Sequence, residues 1–175
     1  QHLVGANGPI RKFLETGNVP SMIFWGPPGT GKTTLAYIIS LNLYYDFYKM
    51  QAVNSGKEEL RKILKIALNN QKYNKKTMLF LDEIHRWNKA QQDTLLPYVE
   101  KGVITLIGAT TENPSFTIIS PLLSRTKVFV FKQHTKDDIA TLLKRVIKKE
   151  YPKYKISKKV IDLIAELANG DMRSA

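Results

Sequence analysis

Hydrophobic and polar residues alternate along this chain in a way that predicts strands and helices in turn. Short runs of consecutive apolar residues are typical of strands buried on both faces of a parallel sheet. Such runs occur at 22–25, 77–81, 104–108 and 127–131, and a further extended segment is predicted at 49–53. Apolar residues three or four positions apart predict amphipathic helices at about 35–43, 60–67 and 89–100. The predicted fold is therefore α/β, with a parallel five-stranded sheet flanked by helices.

The pattern changes after the last predicted strand. Two helical patterns follow there without a strand between them, at about 136–149 and 157–167. A change from alternating strands and helices to helices alone indicates a boundary, which we place near Lys132. The sequence thus predicts an α/β domain over 1–132 and the beginning of a smaller helical domain over 133–175.

Composition narrows the class of protein. The chain has 175 residues, of which 43% are hydrophobic, and it contains no cysteine, which excludes disulfides and thiolate metal sites. No run approaches the roughly 18 apolar residues that cross a bilayer, and no leader pattern opens the chain, so we expect an intracellular protein without a membrane partner. A net charge of +12 favours a polyanionic partner such as nucleic acid, although lysine-rich composition alone can make an ATP-binding protein basic.

A glycine-rich segment at 26–33 directly follows the first predicted strand and matches the pattern G-x-x-x-x-G-K-[ST]. Glycines let the backbone N–H groups turn toward a phosphate, and the helix that follows adds the positive end of its dipole. In such loops the lysine, here Lys32, reaches the β- and γ-phosphates, and the hydroxyl of Thr33 binds Mg²⁺. A glycine-rich turn can also simply join a strand to a helix. The eight ordered positions favour a nucleoside triphosphate site.

Two carboxylates, Asp82 and Glu83, come directly after the apolar run 77–81. In isolation, two acids at a strand end are usually a solvated turn. About fifty residues after a phosphate loop, they indicate a second part of the same site. Asp82 is then expected to complete the Mg²⁺ shell, directly or through water, and Glu83 to orient or polarise the attacking water.

Polar residues also follow the apolar run 104–108. Thr111 is the residue we select to contact the γ-phosphate or the attacking water, with Thr110 and Asn113 as alternatives. A threonine pair before Asn-Pro is otherwise ordinary turn chemistry.

Two arginines stand at positions from which they could complete a phosphoryl-transfer site. Arg125 lies just before the last predicted strand and could reach the nucleotide of a neighbouring subunit, or it could be a surface arginine. Arg173 follows Gly170-Asp171-Met172, which predicts the start of a further helix. It could reach back to the nucleotide, or the segment could be only an Asp-capped helix start.

In this order, the motifs resemble those of AAA+ ATPases. They are most similar to the family that contains bacterial replication-associated recombination protein A and the eukaryotic Werner-helicase-interacting ATPase, which are relatives of clamp loaders. The phosphate loop is evidence only for the superfamily, whereas His85-Arg86-Trp87-Asn88-Lys89 and Thr110 through Phe116 are much more specific. The resemblance covers nearly the whole chain. Trp87 stands where the family usually has Phe, and Lys57 replaces an apolar residue.

The resemblance implies a P-loop NTPase (AAA+) fold in which 133–175 begins a helical lid, with ATP and Mg²⁺ as cofactors. Thr111 would be the phosphate sensor, Arg125 the finger acting in trans and Arg173 the lid sensor, with Glu83 and Lys32 as the other catalytic residues. Thr33 and Asp82 would hold the metal. The expected nucleotide contacts are Val4, Gly5, Pro28, Gly29, Thr30, Gly31, Lys32, Thr33, Thr34 and Asp82.

The function implied is that of a DNA-dependent ATPase in replication fork maintenance, DNA repair and recombination. Expected partners are single-stranded, gapped or forked DNA, further copies of the chain in a tetramer, and replication and repair proteins. The protein would be nuclear in a eukaryote and would lie in the cytoplasm or nucleoid of a bacterium. The alternatives are a clamp-loader subunit, a Holliday-junction branch-migration motor, or a scaffold that binds ATP without hydrolysing it. Because the chain begins inside the adenine-binding segment and stops at Ala175, we expect a fragment.

Basic residues on the predicted helices could contact DNA phosphates, although such residues more often form a solvated face. The candidates are Arg61, Lys62, Lys65, Arg86 and Lys89.

Overall fold

The computed structural model describes residues 3, 5, 8–54, 56–154 and 156–175. These residues form two compact units, one within 1–25 and 32–130 and the other consisting of 26–31 and the described part of 131–175. Among the described residues, every helix is too short or too polar to cross a bilayer.

The first unit contains five strands and six helices in its described part. The strands are β1 (Met22–Trp25), β2 (Asp46–Gln51), β3 (Thr77–Asp82), β4 (Thr105–Thr110) and β5 (Lys127–Val130). The helices are α1 (Pro9–Thr16), α2 (Lys32–Asn42), α3 (Lys57–Lys72), α4 (Lys89–Glu100), α5 (Pro114–Thr117) and α6 (Ser120–Leu123). A 3₁₀ turn, Ile84–Arg86, follows β3.

The five strands form one sheet in the order β2-β3-β4-β1-β5, with every neighbouring pair parallel. The parallel sheet predicted from the apolar runs is confirmed. Its three inner strands are buried almost throughout, because helices cover both faces of such a sheet.

A glycine in the middle of β4 allows close packing in this core. A Cβ built on Gly108 would lie 2.9 Å from the Cδ1 atoms of both Ile23 and Ile84. The absence of a side chain therefore lets Ile84, which opens the 3₁₀ turn, pack directly on the central strands. This packing fixes the backbone immediately after the carboxylates that end β3.

The edge strand β2 differs from its prediction, since it begins at Asp46 rather than at 49. Only Met50 of this strand is buried, because a strand at the sheet edge shows one side to solvent, so its apolar pattern is weak. Helix α1 has no counterpart among the predicted helices. It is only eight residues long, with Pro9 at its start and Gly17 in the left-handed region at its end.

The second unit contains α7 (Lys136–Glu150) and α8 (Lys158–Leu167), close to the two predicted helices. They pack through a small apolar cluster consisting of Ile139, Ala140, Ile161, Ala165 and Ala168. Thr135 and Asp138 form a capping box at the start of α7. Residues 171–175 form a turn, so the helix predicted to start there is not present in this structure. The domain boundary near Lys132 stays a prediction.

Candidate functional site

The carboxyl ends of the parallel strands bring several predicted site residues to one edge of the sheet. Trp25 pairs with Thr110 where β1 and β4 end, and β3 ends at Asp82 beside β4. Chain segments that follow parallel strands leave from the same edge, which is where ligands bind in open α/β sheets. Asp82, Glu83 and Thr111 therefore belong to one edge of the first unit.

Lys32 and Thr33 open α2, an 11-residue helix with no acidic side chain in its first turn. The positive end of the helix dipole is thus not neutralised by a carboxylate of that turn, which favours an anion there. Both residues are half-buried, whereas Thr34 is exposed.

The glycine-rich loop 26–31 belongs to the second unit, where it contacts the chain end. Gly29 and Gly31 have φ of 68° and 86°, a left-handed backbone that favours glycine. A Cβ on Gly29 would lie 1.7 Å from Asp171 Oδ1, and the carbonyl of Gly29 accepts a hydrogen bond from the Met172 N–H at 3.4 Å. Within the loop, the Thr30 hydroxyl donates to the Pro27 carbonyl at 2.9 Å.

Glu83 has a left-handed backbone with φ 55° and ψ 42°, which is uncommon for a residue with a side chain. The conformation ends β3 and starts the 3₁₀ turn, whose first hydrogen bond runs from the Arg86 N–H to the Glu83 carbonyl at 2.8 Å. Asp82 stays in the strand, and its carbonyl accepts from the Ala52 N–H at 2.9 Å. The two carboxylates therefore leave the backbone from differently oriented residues, one half-buried and one exposed.

The three polar candidates after β4 have different surroundings. Thr110 is 1% exposed, and its hydroxyl is bonded to the His85 ring and to the Glu112 backbone. Asn113 accepts from the Ser115 N–H and so caps α5. Thr111 is exposed and has no hydrogen bond to the described residues. Of the three, Thr111 has the side chain that is available to a ligand.

Arg125 is exposed, but its guanidinium is held by three groups of its own chain. One terminal nitrogen, Nη2, lies 2.5 Å from the Glu100 carboxylate. The other, Nη1, donates to the Pro121 carbonyl at 2.9 Å and to the Ser124 hydroxyl at 3.1 Å. Sequence reasoning missed Glu100, because the sequence gives no sign that the end of α4 lies beside the turn after α6.

Two further predicted site residues, Arg173 and Gly5, are far in sequence from the strand ends that carry the other candidates. Arg173, in the second unit, is exposed, and its N–H donates to Asp171 Oδ1 at 2.7 Å, as in an Asp-capped turn. Gly5 is half-buried, and its carbonyl accepts from the Gly8 N–H at 2.8 Å. Val4, the other predicted adenine contact, lies outside the described residues. The roles of these residues stay predictions.

The proposed DNA contacts are exposed in the structure. Arg61, Lys62 and Lys65 lie on the solvent side of α3, while Arg86 and Lys89 flank the start of α4. Neither group forms an ion pair with the described residues.

A family model described as "ATPase family associated with various cellular activities (AAA)" matches residues 22–134, which include the sheet and both acidic and glycine-rich motifs. This chain belongs to the AAA family of ATPases. The match begins with β1 and ends just after β5, so the AAA domain contains every strand of the sheet.

Curated relatives cover the chain almost completely. Replication-associated recombination protein A of Escherichia coli K12 is 45% identical over 180 residues, which is 100% of this chain and 40% of that protein. ATPase WRNIP1 of Dictyostelium discoideum is 44% identical over 172 residues, which is 95% of this chain and 19% of that protein. The resemblance predicted from the motifs is thereby confirmed. The AAA chain spans about two fifths of the length of the bacterial relatives.

Solved structures of Thermotoga maritima RuvB have the same fold. A RuvB variant is 27% identical with a TM-score of 0.75 and covers 94% of this chain and 55% of its own. The RuvB Holliday junction branch migration motor is 27% identical with a TM-score of 0.73 and covers 94% of this chain and 54% of its own.

Proposed function

We propose that this AAA domain binds Mg²⁺·ATP and hydrolyses it in an oligomer that acts on DNA. The observation that carries the proposal is the order of elements: a glycine-rich loop after β1, Lys32-Thr33 opening α2, and Asp82-Glu83 ending β3. Residues 1–132 would form the nucleotide-binding domain, and 133–175 the beginning of its lid.

The residues present fit ATP and Mg²⁺. The left-handed glycines and the dipole of α2 favour phosphate, and Lys32 would neutralise its β- and γ-oxygens. The Thr33 hydroxyl and the Asp82 carboxylate are oxygen ligands of the kind that Mg²⁺ prefers. When bound, Mg²⁺·ATP supplies the phosphoryl group that is transferred to water. The backbone of the loop from Pro28 to Gly31 and the side chain of Thr34 would complete the contacts, with Val4 and Gly5 near the adenine.

Glu83 is the proposed orienting group for the attacking water. Thr111 would sense the γ-phosphate, since its hydroxyl is available whereas that of Thr110 is already bonded. Arg173 would act as the lid sensor.

Arg125 is proposed to act on the nucleotide of a neighbouring subunit. A guanidinium has five N–H donors, so the contacts to Glu100, Pro121 and Ser124 leave donors for a phosphate. Hydrolysis would then depend on assembly, as a homotetramer by the resemblance. Replacing an arginine finger costs about 10³- to 10⁵-fold in turnover, so Arg125→Ala should bind ATP but hydrolyse it very slowly.

DNA is the proposed partner because the net charge is +12 and the relatives are named for replication and recombination. The process would be maintenance and repair of replication forks inside the cell, alongside replication and repair proteins. Single-stranded, gapped or forked DNA would stimulate hydrolysis. Branch migration is the second candidate, favoured by the structural likeness to the RuvB motor.

ATP turnover by the full-length protein tests the proposal. It would be measured with no DNA, with single-stranded, duplex and forked DNA, and with a four-way junction. We expect forked or single-stranded DNA to stimulate turnover most, and Glu83→Gln to bind ATP without hydrolysing it, while the α3 control Glu58→Gln behaves as wild type. Stimulation only by the four-way junction would favour branch migration. Turnover that is unchanged in Glu83→Gln would refute the assigned site.

The basic face of α3 has its own test. Triple replacement of Arg61, Lys62 and Lys65 by Gln should weaken DNA binding and reduce its dependence on salt. The slope of log K against log salt is negative, and each lost phosphate contact makes it shallower by about 0.9 for duplex DNA. A DNA affinity and a salt slope that stay at the wild-type values would exclude this face as the DNA contact.

A further inference from the structure

We propose that His85 is a positioning residue that holds the Glu83 turn and the Thr111 loop in a fixed relation. The inference rests on the proposed ATPase function, and it adds a residue to which neither the motifs nor the relatives' names give a role. His85 touches no reacting group itself. It acts through the two segments that carry the water-orienting carboxylate and the phosphate sensor.

The imidazole of His85 joins the ends of β3 and β4. Its Nδ1 lies 3.0 Å from the Thr110 hydroxyl, and its Nε2 lies 3.6 Å from the Glu112 carboxylate. The side chain of His85 is 4% exposed and Thr110 is 1% exposed, whereas the Glu112 side chain is 54% exposed. One buried ring therefore contacts the residues on both sides of Thr111.

One assignment of the protons is consistent with these contacts. With a proton on Nε2, which faces the Glu112 carboxylate, Nδ1 carries the lone pair and can accept from the Thr110 hydroxyl, which also lies 3.3 Å from the Glu112 carbonyl. The same hydroxyl oxygen accepts from the Glu112 N–H at 3.0 Å. Two hydrogen bonds of the Thr110 hydroxyl and the 3.6 Å approach of Nε2 to the Glu112 carboxylate thus link His85, Thr110 and Glu112. This set of contacts restricts the loop more than a single hydrogen bond would.

The backbone alone does not make this connection. The pairing of β3 with β4 ends at Leu81 and Gly108, before either strand reaches its polar residues. The last two residues of β4 pair with β1 on the other side. The ends that carry Glu83 and Thr111 are therefore joined across β3 and β4 through the His85 side chain.

The Glu83 backbone makes this support important. Its left-handed conformation is a strained one that persists where surrounding contacts determine it. Ile84 packs against Gly108 on one side of the turn, and the His85 ring is bonded on the other. Loss of the ring contact would let the turn and the Thr111 loop shift relative to each other. A displacement of about 1 Å in a catalytic group can cost about 10²-fold in rate.

The test uses the full-length protein with the DNA that stimulates it most. His85→Ala and Thr110→Val each remove the bond between His85 and Thr110. The second preserves side-chain volume but also removes the acceptor of the Glu112 N–H. We expect kcat to fall about 10- to 100-fold in both, with the KM for ATP and the Kd of a non-hydrolysable ATP analogue changed less than about threefold. The fall in kcat of the double variant should be smaller than the product of the two single effects, because the two residues share one contact.

A conservative variant separates positioning from packing. His85→Asn places an amide oxygen near the position of Nδ1, so it should accept from the Thr110 hydroxyl and recover most of kcat, while His85→Ala does not. The control is His134→Asn, a half-buried histidine outside this set of contacts, which should keep wild-type turnover.

The outcomes are distinguishable. Wild-type kcat in both His85→Ala and Thr110→Val would overturn this inference alone, and so would a parallel rise in KM and Kd, which would assign His85 to nucleotide binding. If His85→Ala does not fold, a wild-type kcat in Thr110→Val still overturns the inference, and a loss of kcat in Thr110→Val together with a nearly wild-type kcat in His85→Asn supports it. A wild-type protein without Glu83-dependent hydrolysis would overturn the proposed function and this inference together.

Discussion

Gln92 is predicted to be one of the most sensitive polar positions in the AAA domain. Its side chain is buried on α4, with 1% exposure, and makes three hydrogen bonds. The amide nitrogen donates to the Trp87 carbonyl at 3.0 Å and to the Thr117 carbonyl at 2.8 Å, and the amide oxygen accepts from the Ile119 N–H at 3.0 Å. One side chain thus joins the start of α4 to the segment that contains α5 and leads into α6.

Gln92→Met keeps the length of the side chain and removes all three bonds. A buried group left without a partner costs about 1–3 kcal/mol. Trp87 is buried and would bear the full cost, whereas Thr117 and Ile119 are half-buried and can partly exchange the bond for water. We therefore expect a loss of about 2–4 kcal/mol in the free energy of unfolding. For a domain of this size, that corresponds to a fall in Tm of about 4–16 °C.

Denaturant and thermal unfolding of the full-length protein would measure the loss. Hydrogen exchange would locate it, with faster exchange expected at 114–119. Gln71→Met is the matched control. Among the described residues, the Gln71 amide makes a single long, exposed bond, to the Lys101 carbonyl at 3.5 Å, so the variant should change stability by less than about 0.5 kcal/mol. Equal stability of the two variants would show that the Gln92 bonds do not hold this segment in place.

Three further predictions concern other local features. Trp87 Nε1 is buried without a hydrogen-bond partner among the described residues. Trp87→Phe loses ring area but removes this donor, so its free energy of unfolding in urea should stay within about 1 kcal/mol of wild type. A loss near the roughly 3–5 kcal/mol of a large-to-Ala change would contradict this. Hydrogen bonds from the side chain and then the backbone of Thr135 lower the pKa of Asp138 below 3.8, so its contribution to stability is complete above pH 3.8 and is lost as pH falls through the lower folded-state pKa. Thr135→Val removes the hydroxyl bond and should move that pKa part of the way back toward 3.8 in a carboxyl NMR titration. An unchanged pKa would show that the hydroxyl bond is not its main cause. Gly29→Ala should lower Tm and weaken binding of an ATP analogue, because the left-handed backbone alone costs about 1–2 kcal/mol for a residue with a side chain and the new Cβ would meet the Asp171 carboxylate. Gly56→Ala, where a Cβ meets open space, is the control. Equal Tm and equal affinity in the two variants would be the contrary result.

The sheet could be predicted because its inner strands carry a direct signal. A strand buried on both faces is a continuous apolar run, so β3 and β4 were located to within one or two residues. The edge strand β2 was misplaced at its start, because a strand with one solvent-exposed side shares its pattern with a loop. Helix α1 is too short for a repeating apolar face, and it was not predicted.

In the candidate site, too, residues in local sequence motifs could be predicted, whereas contacts between distant residues could not. Lys32, Asp82 and Glu83 could be proposed as site residues from the sequence, because their motifs lie within a few consecutive residues of a strand end. One of the bonds that distinguish Thr110 from Thr111 joins it to His85, 25 positions away, and only the pairing of β3 beside β4 brings the two residues together. The contact between Arg125 and Glu100 also depends on tertiary packing, since a charge pair between distant residues leaves no pattern in the sequence.

In the proposed mechanism, this chain supplies one side of an active site and its Arg125 completes the site of a neighbouring subunit. The most direct test mixes two inactive full-length variants, Glu83→Gln and Arg125→Ala, and measures ATP turnover with stimulating DNA. Each variant alone is expected to hydrolyse ATP very slowly, whereas the mixture should regain activity, because some interfaces combine an intact Glu83 with an Arg125 from the other variant. A mixture no more active than the separate variants, under conditions in which mixed oligomers are shown to form, would contradict a site shared between subunits.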